Sequence, residues 1–161
     1  MGNAFSTADL YDTYADRCAS CETQFRQYGG CRVFAGRIRT AKCLNDNVLM
    51  RRVLESHSEG DVLVVDGAGY LGSALIGDII AEIGLKNGWS GVVINGAVRD
   101  VSALAQLNFG VKALGSNPKK SEKLGIGQID AVLSFGGIVF IPGQWLYSDD
   151  DGLLVSQDKL V

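Results

Sequence analysis

Between Asp61 and Asp100 the chain reads as strand, glycine-rich loop, helix and strand, an order that few folds accommodate. Val62–Val65 and Gly91–Ile94 are short apolar runs without alternation, the pattern of strands covered on both faces. The segment from Gly77 to Asn87 is apolar at Ile79, Ile80, Ile83 and Leu85 and predicts a helix opening at Gly77-Asp78. A helical crossover between parallel strands returns the chain in one direction, so both carboxyl ends reach the same sheet edge. Groups leaving those ends can share a crevice. After the first strand comes a helix N-terminus, whose unpaired N–H groups and partial positive charge suit a carboxylate or phosphate. After the second comes Arg99-Asp100, with twenty residues between Asp78 and Arg99, a pair able to hold an anion and a divalent cation side by side. The combination predicts chemistry on a small anionic substrate.

Gly67-Ala68-Gly69-Tyr70-Leu71-Gly72 also fits the G-x-G-x-x-G dinucleotide fingerprint directly after a strand. Its surroundings argue against that use. The second strand ends at Asn95 rather than at the acid that would hold a ribose, and sixty residues precede the motif that normally opens its domain.

With 161 residues, 47% hydrophobic and 20% charged, the chain is expected to form one domain, residues 1–161, with a full core. A net charge of −3 with scattered basic residues argues against direct binding of nucleic acid. Lys119, Lys120 and Lys123 form a local basic cluster, read here as solvated loop. No apolar run approaches the roughly eighteen residues of a membrane span, and no signal peptide is visible, so a cytoplasmic protein with no membrane partner is expected. Met1-Gly2-Asn3-Ala4-Phe5-Ser6 matches a loose myristoylation pattern and is read as a chance match. Cys18, Cys21, Cys31 and Cys43 lack the two well-spaced pairs of a structural zinc site and are expected to be reduced, partly buried thiols. His57 is the only histidine, and a surface position is expected for it.

Elsewhere the sequence predicts a helix over residues 6–16 capped by Ser6 or Thr7, and a β segment at Cys31–Phe34. A half-buried strand at Arg37–Lys42 and a helix from an Asn45 cap to Glu55 follow. A helix is expected at Arg99–Leu107, and strands at Val111–Leu114, Ile129–Phe135, Ile138–Ile141 and Leu153–Ser156. Asp149-Asp150-Asp151-Gly152 resembles part of a calcium loop but lacks its spacing and distal glutamate, and is read as a polar turn.

The D-x20-R-D pattern, preceded by VLVVDGAG and set in ING-AVRD, resembles the RraA-like family. That family contains regulators of ribonuclease activity and class II 4-hydroxy-4-methyl-2-oxoglutarate aldolases. The likeness extends over nearly the whole chain: YGG near residue 28, FAG at 34–36, Asn45-Asp46-Asn47, NGW, GIG, FGG and YSDDDG. It implies an α/β fold, a swivelling β/β/α-type domain with a β-α-β core, assembled as a homotrimer or stacked trimers with sites at subunit interfaces. Carried over to this chain, the backbone N–H groups of Gly77, Asp78, Ile79 and Ile80 would hold a pyruvyl carboxylate. Arg99 would bind substrate and face the enolate oxygen, Asp100 would hold Mg²⁺ or Mn²⁺, and Asp78 would orient a water of the metal shell.

The chemistry implied is cleavage of a 4-hydroxy-2-oxo acid, or decarboxylation of oxaloacetate, each leaving a pyruvate enolate. No lysine is needed for a Schiff base, and no side-chain base for the C4 hydroxyl stands out. Longer aldolases of the family supply a further acid from a neighbour's C-terminal extension, absent from this sequence; oxaloacetate decarboxylation is expected to depend on it less. The other implied reading is a regulator that binds an endoribonuclease. Enterobacterial regulators resemble this sequence but carry glutamine after the arginine, where this chain has Asp100. An older labelling of such proteins as menaquinone-pathway methyltransferases finds no ribose-binding acid here.

Overall fold

A computed structural model describes residues 5–161, so Met1–Ala4 of the myristoylation-like pattern lie outside the described residues. In chain order the elements are α1 (Thr7–Tyr14), β1 (Cys18–Ser20), β2 (Arg26–Gln27), β3 (Phe34–Lys42), α2 (Val48–Leu54), β4 (Val62–Asp66), β5 (Ala74–Ile76), α3 (Asp78–Lys86) and β6 (Gly91–Val98). They continue with α4 (Val101–Leu104), β7 (Gly110–Ser116), β8 (Gln128–Ile129), β9 (Leu133–Phe135), β10 (Ile138–Phe140), β11 (Trp145–Asp149) and β12 (Gly152–Ser156). The result is a mixed α/β fold. Its main sheet runs β1-β12-β11-β3-β4-β6-β7-β2, with β5 beside β6 and β8 beside β3.

The centre of that sheet, β3-β4-β6-β7, is parallel, and Val65 pairs with Ile94 across β4 and β6. Strand periodicity divides its apolar residues between two cores. Leu63, Val65, Val92 and Ile94 face Met50, Leu54, Ile80 and Ala81 of the helical layer. Val62, Val64 and Val93 face Leu133, Phe140, Leu146 and Leu153 on the other side. Every residue from Val62 to Val65 is fully buried, which is why the strand shows no alternation. Burying each such side chain contributes roughly 1.5–3 kcal/mol relative to exposure.

The second core is covered by β11, β12 and a separate β9-β10 hairpin. That hairpin turns through Gly136 and Gly137, both at positive φ, the geometry a two-residue connection between antiparallel strands demands. A polar link fastens the remaining pieces. The buried Lys112 of β7 donates to the Asp149 carbonyl at 2.6 Å, and the Asp149 carboxylate accepts from Thr7 N and Oγ1 at 2.7 and 2.6 Å. Burial pushes the Lys112 ammonium below its ordinary value, with the charges of Asp149 and Asp150 opposing the shift. The Asp149–Gly152 segment is thus a turn, as expected, but its first acid is an internal anchor for α1.

Several boundaries differ from expectation. Only Phe34 of Cys31–Phe34 lies in a strand. Asn47, not Asn45, precedes α2; Asn45 sits at φ 50°, and the Asp46 carboxylate accepts from Val48 N at 3.1 Å. Residues 130–132 interrupt Ile129–Phe135, because Asp130 leaves the sheet at φ 59° to pair with Arg39 at 2.8 Å. The expected Arg99–Leu107 helix shrinks to Val101–Leu104; its start moves to Val101 because Asp100 adopts a left-handed conformation. Strands β1, β2, β5 and β11 were not anticipated. Ser6 does cap α1, accepting from Asp9 N at 3.3 Å, and His57 is exposed beside Glu59 at 2.9 Å. All four cysteines are free thiols; Cys43 is buried, and burial raises its pKa to about 11.

Candidate active site

The crossover from β4 does not run directly into a helix. The glycine-rich segment instead leads to β5, which pairs in parallel with the far end of β6, and only then does α3 begin. This detour overturns any phosphate-binding use of Gly67–Gly72, because no helix opens at that loop. Asp66, at the end of β4, accepts instead from Ala68 N and from the Asn95 side chain at 2.8 and 3.0 Å.

Strand β5 delivers Gly77 to the end of β6, and Arg99 N donates to Ile76 O at 2.9 Å to lock the two ends together. Gly77 has no room for a side chain. A Cβ there would lie 2.3 Å from Asp100 Oδ2 and 3.2 Å from Arg99 Cγ, so glycine is what lets the helix start approach the Arg-Asp pair. Asp100 contributes to the same closeness with φ 57° and ψ 43°, a region that aspartate tolerates better than most residues. Its left-handed turn directs the carboxylate back to α3, where Oδ2 accepts from Asp78 N at 3.2 Å and lies 3.8 Å from Arg99 Nε.

Gly77, Asp78, Ile79, Ile80, Arg99 and Asp100 all line one cleft of about 210 Å³. Its helix N-terminus already holds carboxylates, namely its own: Asp78 Oδ1 accepts from Ile79 N at 2.8 Å, alongside the Asp100 contact. The charges are partly open to solvent, with Arg99 and Asp100 side chains 32% and 37% exposed. Arg99 Nη1 also reaches the Pro118 carbonyl at 3.5 Å. A wider depression of about 530 Å³ around Trp145 and Arg37 includes Asp61 and Ser90, at the amino ends of β4 and β6, and none of these six residues.

Sequence reasoning missed one wall of the cleft. Asn47, Arg51, Lys120, Ser121 and Lys123 line it as well. Lys120 and Lys123 therefore correct the reading of that basic cluster as merely solvated loop. The available signal was topological. The cluster follows β7, a third parallel strand, whose carboxyl end opens onto the same edge as those of β4 and β6. The loop is also pinned. Buried Asp46 accepts from Leu124 N and Gly125 N at 2.6 and 3.0 Å. Burial alone would raise its pKa, but the N–H groups of Val48, Leu124, Ile126 and Gly125 outweigh that and hold it below the usual carboxylate value.

Comparison with known proteins agrees with this architecture. A structure named as an S-adenosylmethionine:2-dimethylmenaquinone methyltransferase from Geobacillus kaustophilus HTA426 is 44% identical, with a TM-score of 0.95 and 97% of each chain covered. The RNA-processing inhibitor RraA from Thermus thermophilis is 42% identical, with a TM-score of 0.92 over 96% of this chain and 93% of that one. Streptomyces coelicolor RraAS2, described as an unusual member of the RNase ES inhibitor RraA family, is 25% identical. Its TM-score is 0.78, over 96% of this chain and 81% of its own. The profile of the RraA-like family, Aldolase/RraA, matches residues 7–155, and the chain belongs to that family.

Proposed function

We propose that this protein is a divalent-metal-dependent lyase, a class II aldolase. It cleaves 4-hydroxy-4-methyl-2-oxoglutarate-type 2-oxo acids to pyruvate and decarboxylates oxaloacetate. The observation that carries the reading is Asp100, a carboxylate beside Arg99 at the cleft, where enterobacterial regulators of the family carry glutamine.

The donor chemistry fits Mg²⁺ or Mn²⁺. Asp100 offers hard oxygen atoms at a solvent-reached position, and Asp78 stands beside it. Among the described residues no group of three or more His, Cys, Asp or Glu forms a closed metal cage. An open site with one or two carboxylates suits an ion that keeps several waters and takes substrate oxygens. A cation held by Asp100 would supply Lewis-acid withdrawal of charge from the 2-keto group.

The remaining work falls to the chain itself. The substrate carboxylate takes the N–H groups from Gly77 to Ile80, replacing the internal contacts from Asp78 and Asp100. Arg99 directs its guanidinium at the keto oxygen, and its charge-assisted bonds strengthen as that oxygen becomes an enolate. In aldol cleavage the C4 hydroxyl loses its proton, the C3–C4 bond breaks, and C3 of the enolate takes a proton. Asp78 orients the water that carries these protons. Oxaloacetate loses CO₂ and leaves the same enolate without the first proton transfer.

The assembly we infer is a homotrimer, or stacked trimers, in the cytoplasm. Leu44, Ile79, Leu124, Ile126 and Val132 are between 63% and 70% exposed, apolar side chains that a neighbouring subunit could cover. Ile79 borders the cleft, so a neighbouring subunit on this surface would help enclose it. The name of the Thermus relative favours a second reading, a regulator that binds an endoribonuclease, with no direct nucleic acid contact in either case.

Oxalate tests the enolate chemistry without requiring the natural substrate, because this planar dianion copies the enolate of pyruvate. With Mg²⁺ present, calorimetry is expected to give oxalate an affinity at least about 100-fold above that of pyruvate, as for other mimics of high-energy states. Equal affinities would overturn the lyase reading.

A further inference from the structure

The helical face of the main sheet is covered in two separate patches. Met50, Leu54, Ile80 and Ala81 lie over β4 and β6, while Leu10, Leu154 and Leu160 gather around Tyr147 beyond β3. Strand β3 contributes to both, with Ala41 in the first patch and Ala35 in the second. Arg37 falls between those two on the same face, and it is exposed. Across β3 and β11, Trp145 pairs with Arg37 and Tyr147 with Ala35, so these side chains point the same way. Leu146, between them, points into the opposite core. The strip left open is the floor of the depression of about 530 Å³ at the amino ends of β4 and β6. That volume is enough for a molecule with a ring and a side arm.

The groups around the floor are matched to an aromatic anion. The Arg37 guanidinium and the Lys159 ammonium both stand over the Trp145 ring, each 5.5 Å from its centroid. Among the described residues neither has a carboxylate within 4.0 Å. Two positive charges gathered on one ring repel each other, and the ring quadrupole offsets only part of that. An anion held by both would remove the repulsion. Of the acids on the rim, Glu59 is turned to His57 at 2.9 Å. Half-buried Asp61 has no cation within 4.0 Å among the described residues and is free to accept from hydroxyl groups. Ser90 beside it donates to Gly60 O at 2.7 Å and keeps its own oxygen as an acceptor.

We propose that this depression is a binding site for a purine nucleoside monophosphate. The base stacks on Trp145, the phosphate takes Arg37 and Lys159, and Asp61 accepts from the ribose hydroxyls. A guanidinium stacked on an aromatic ring keeps its in-plane N–H groups for a phosphate, which is why arginine suits this position. The Gly67–Gly72 fingerprint has no part in it, since that loop leaves the carboxyl end of β4 and the depression lies at the amino end. The cleft of Arg99 and Asp100 also opens at the carboxyl ends, so the two sites can be filled together.

The test is calorimetry on the intact protein with AMP, with adenosine, which lacks the phosphate, and with ribose 5-phosphate, which lacks the base. AMP is expected to bind at least about tenfold more tightly than either fragment, the scale of one stacked base or one charge-assisted contact. Arg37→Gln with Lys159→Gln should bring AMP down to the affinity of adenosine; both side chains are exposed, so the fold should survive. Trp145→Leu should bring AMP down to the affinity of ribose 5-phosphate. Indole fluorescence should change on AMP binding through Trp145, because Trp89, the other tryptophan, is buried and donates to Ser56 O at 2.9 Å. Saturating oxalate with Mg²⁺ should leave the AMP affinity unchanged. No AMP binding, AMP no tighter than its fragments, an affinity unmoved by the double substitution, or displacement by oxalate would overturn the site.

Discussion

Asp100→Asn is expected to lower pyruvate release from oxaloacetate by about 10³-fold, with the thermal midpoint nearly unchanged. The magnitude follows from losing a Lewis acid that stabilises developing charge by several kcal/mol, at 1.36 kcal/mol per factor of ten. Asparagine is the informative replacement because it adopts the φ of 57° at this position more readily than alanine does. It also keeps an acceptor for Asp78 N, so the close approach between β6 and α3 survives. A steady-state coupled assay together with a melting curve separates the two effects. Activity within a factor of a few of the unsubstituted protein would remove Asp100 from the site.

Arg99→Lys should cost roughly 10²-fold in kcat, a smaller loss but a more specific one. The substitution keeps the positive charge. What it removes is the planar fork that allows Nε to face Asp100 while Nη1 reaches the Pro118 carbonyl. A lysine ammonium can serve one of those directions, and the enolate oxygen needs a donor in a fixed plane. The loss should therefore fall on kcat more than on KM, since the contact strengthens only as charge develops. A rise in KM with kcat unchanged would show Arg99 to be a substrate anchor alone.

The positions of these two residues were readable before the fold, and the reason is physical. Val62–Val65 and Gly91–Ile94 are buried on both faces, so their apolar runs declare them as central parallel strands. Parallel strands in turn fix where Arg99-Asp100 must emerge, whereas Asp78 reaches the same edge by way of β5. Strand β5 escaped notice because Ala74–Ile76 is three residues long and lies inside a glycine-rich stretch. Its place beside β6 depends on long-range pairing that no local pattern encodes. Trp145–Asp149 was hidden for a similar reason: it ends in the acidic run that reads as a turn, and it pairs with β3 more than a hundred residues earlier.

Lys123 shows the same limit at the level of the site. Its charge is plain in the sequence, but its place on the cleft wall depends on Asn47, whose side chain in turn donates to the Leu75 carbonyl from a distant part of the chain. The left-handed turn at Asp100 is equally invisible to periodicity, and it moves the start of α4 from Arg99 to Val101. Local chemistry was legible where one β-α-β unit sufficed to place it. It was not legible where the cleft draws on segments brought together only by the complete sheet.

The most direct measurement is pyruvate release from oxaloacetate and from 4-hydroxy-4-methyl-2-oxoglutarate, with Mg²⁺ and then with excess EDTA. The decay of oxaloacetate in the same metal without protein is subtracted. Turnover of both substrates that disappears with the chelator and returns on adding Mg²⁺ is the predicted result. No release above the protein-free control, with either substrate and with Mg²⁺ or Mn²⁺, would contradict the lyase and leave the endoribonuclease-binding regulator in its place.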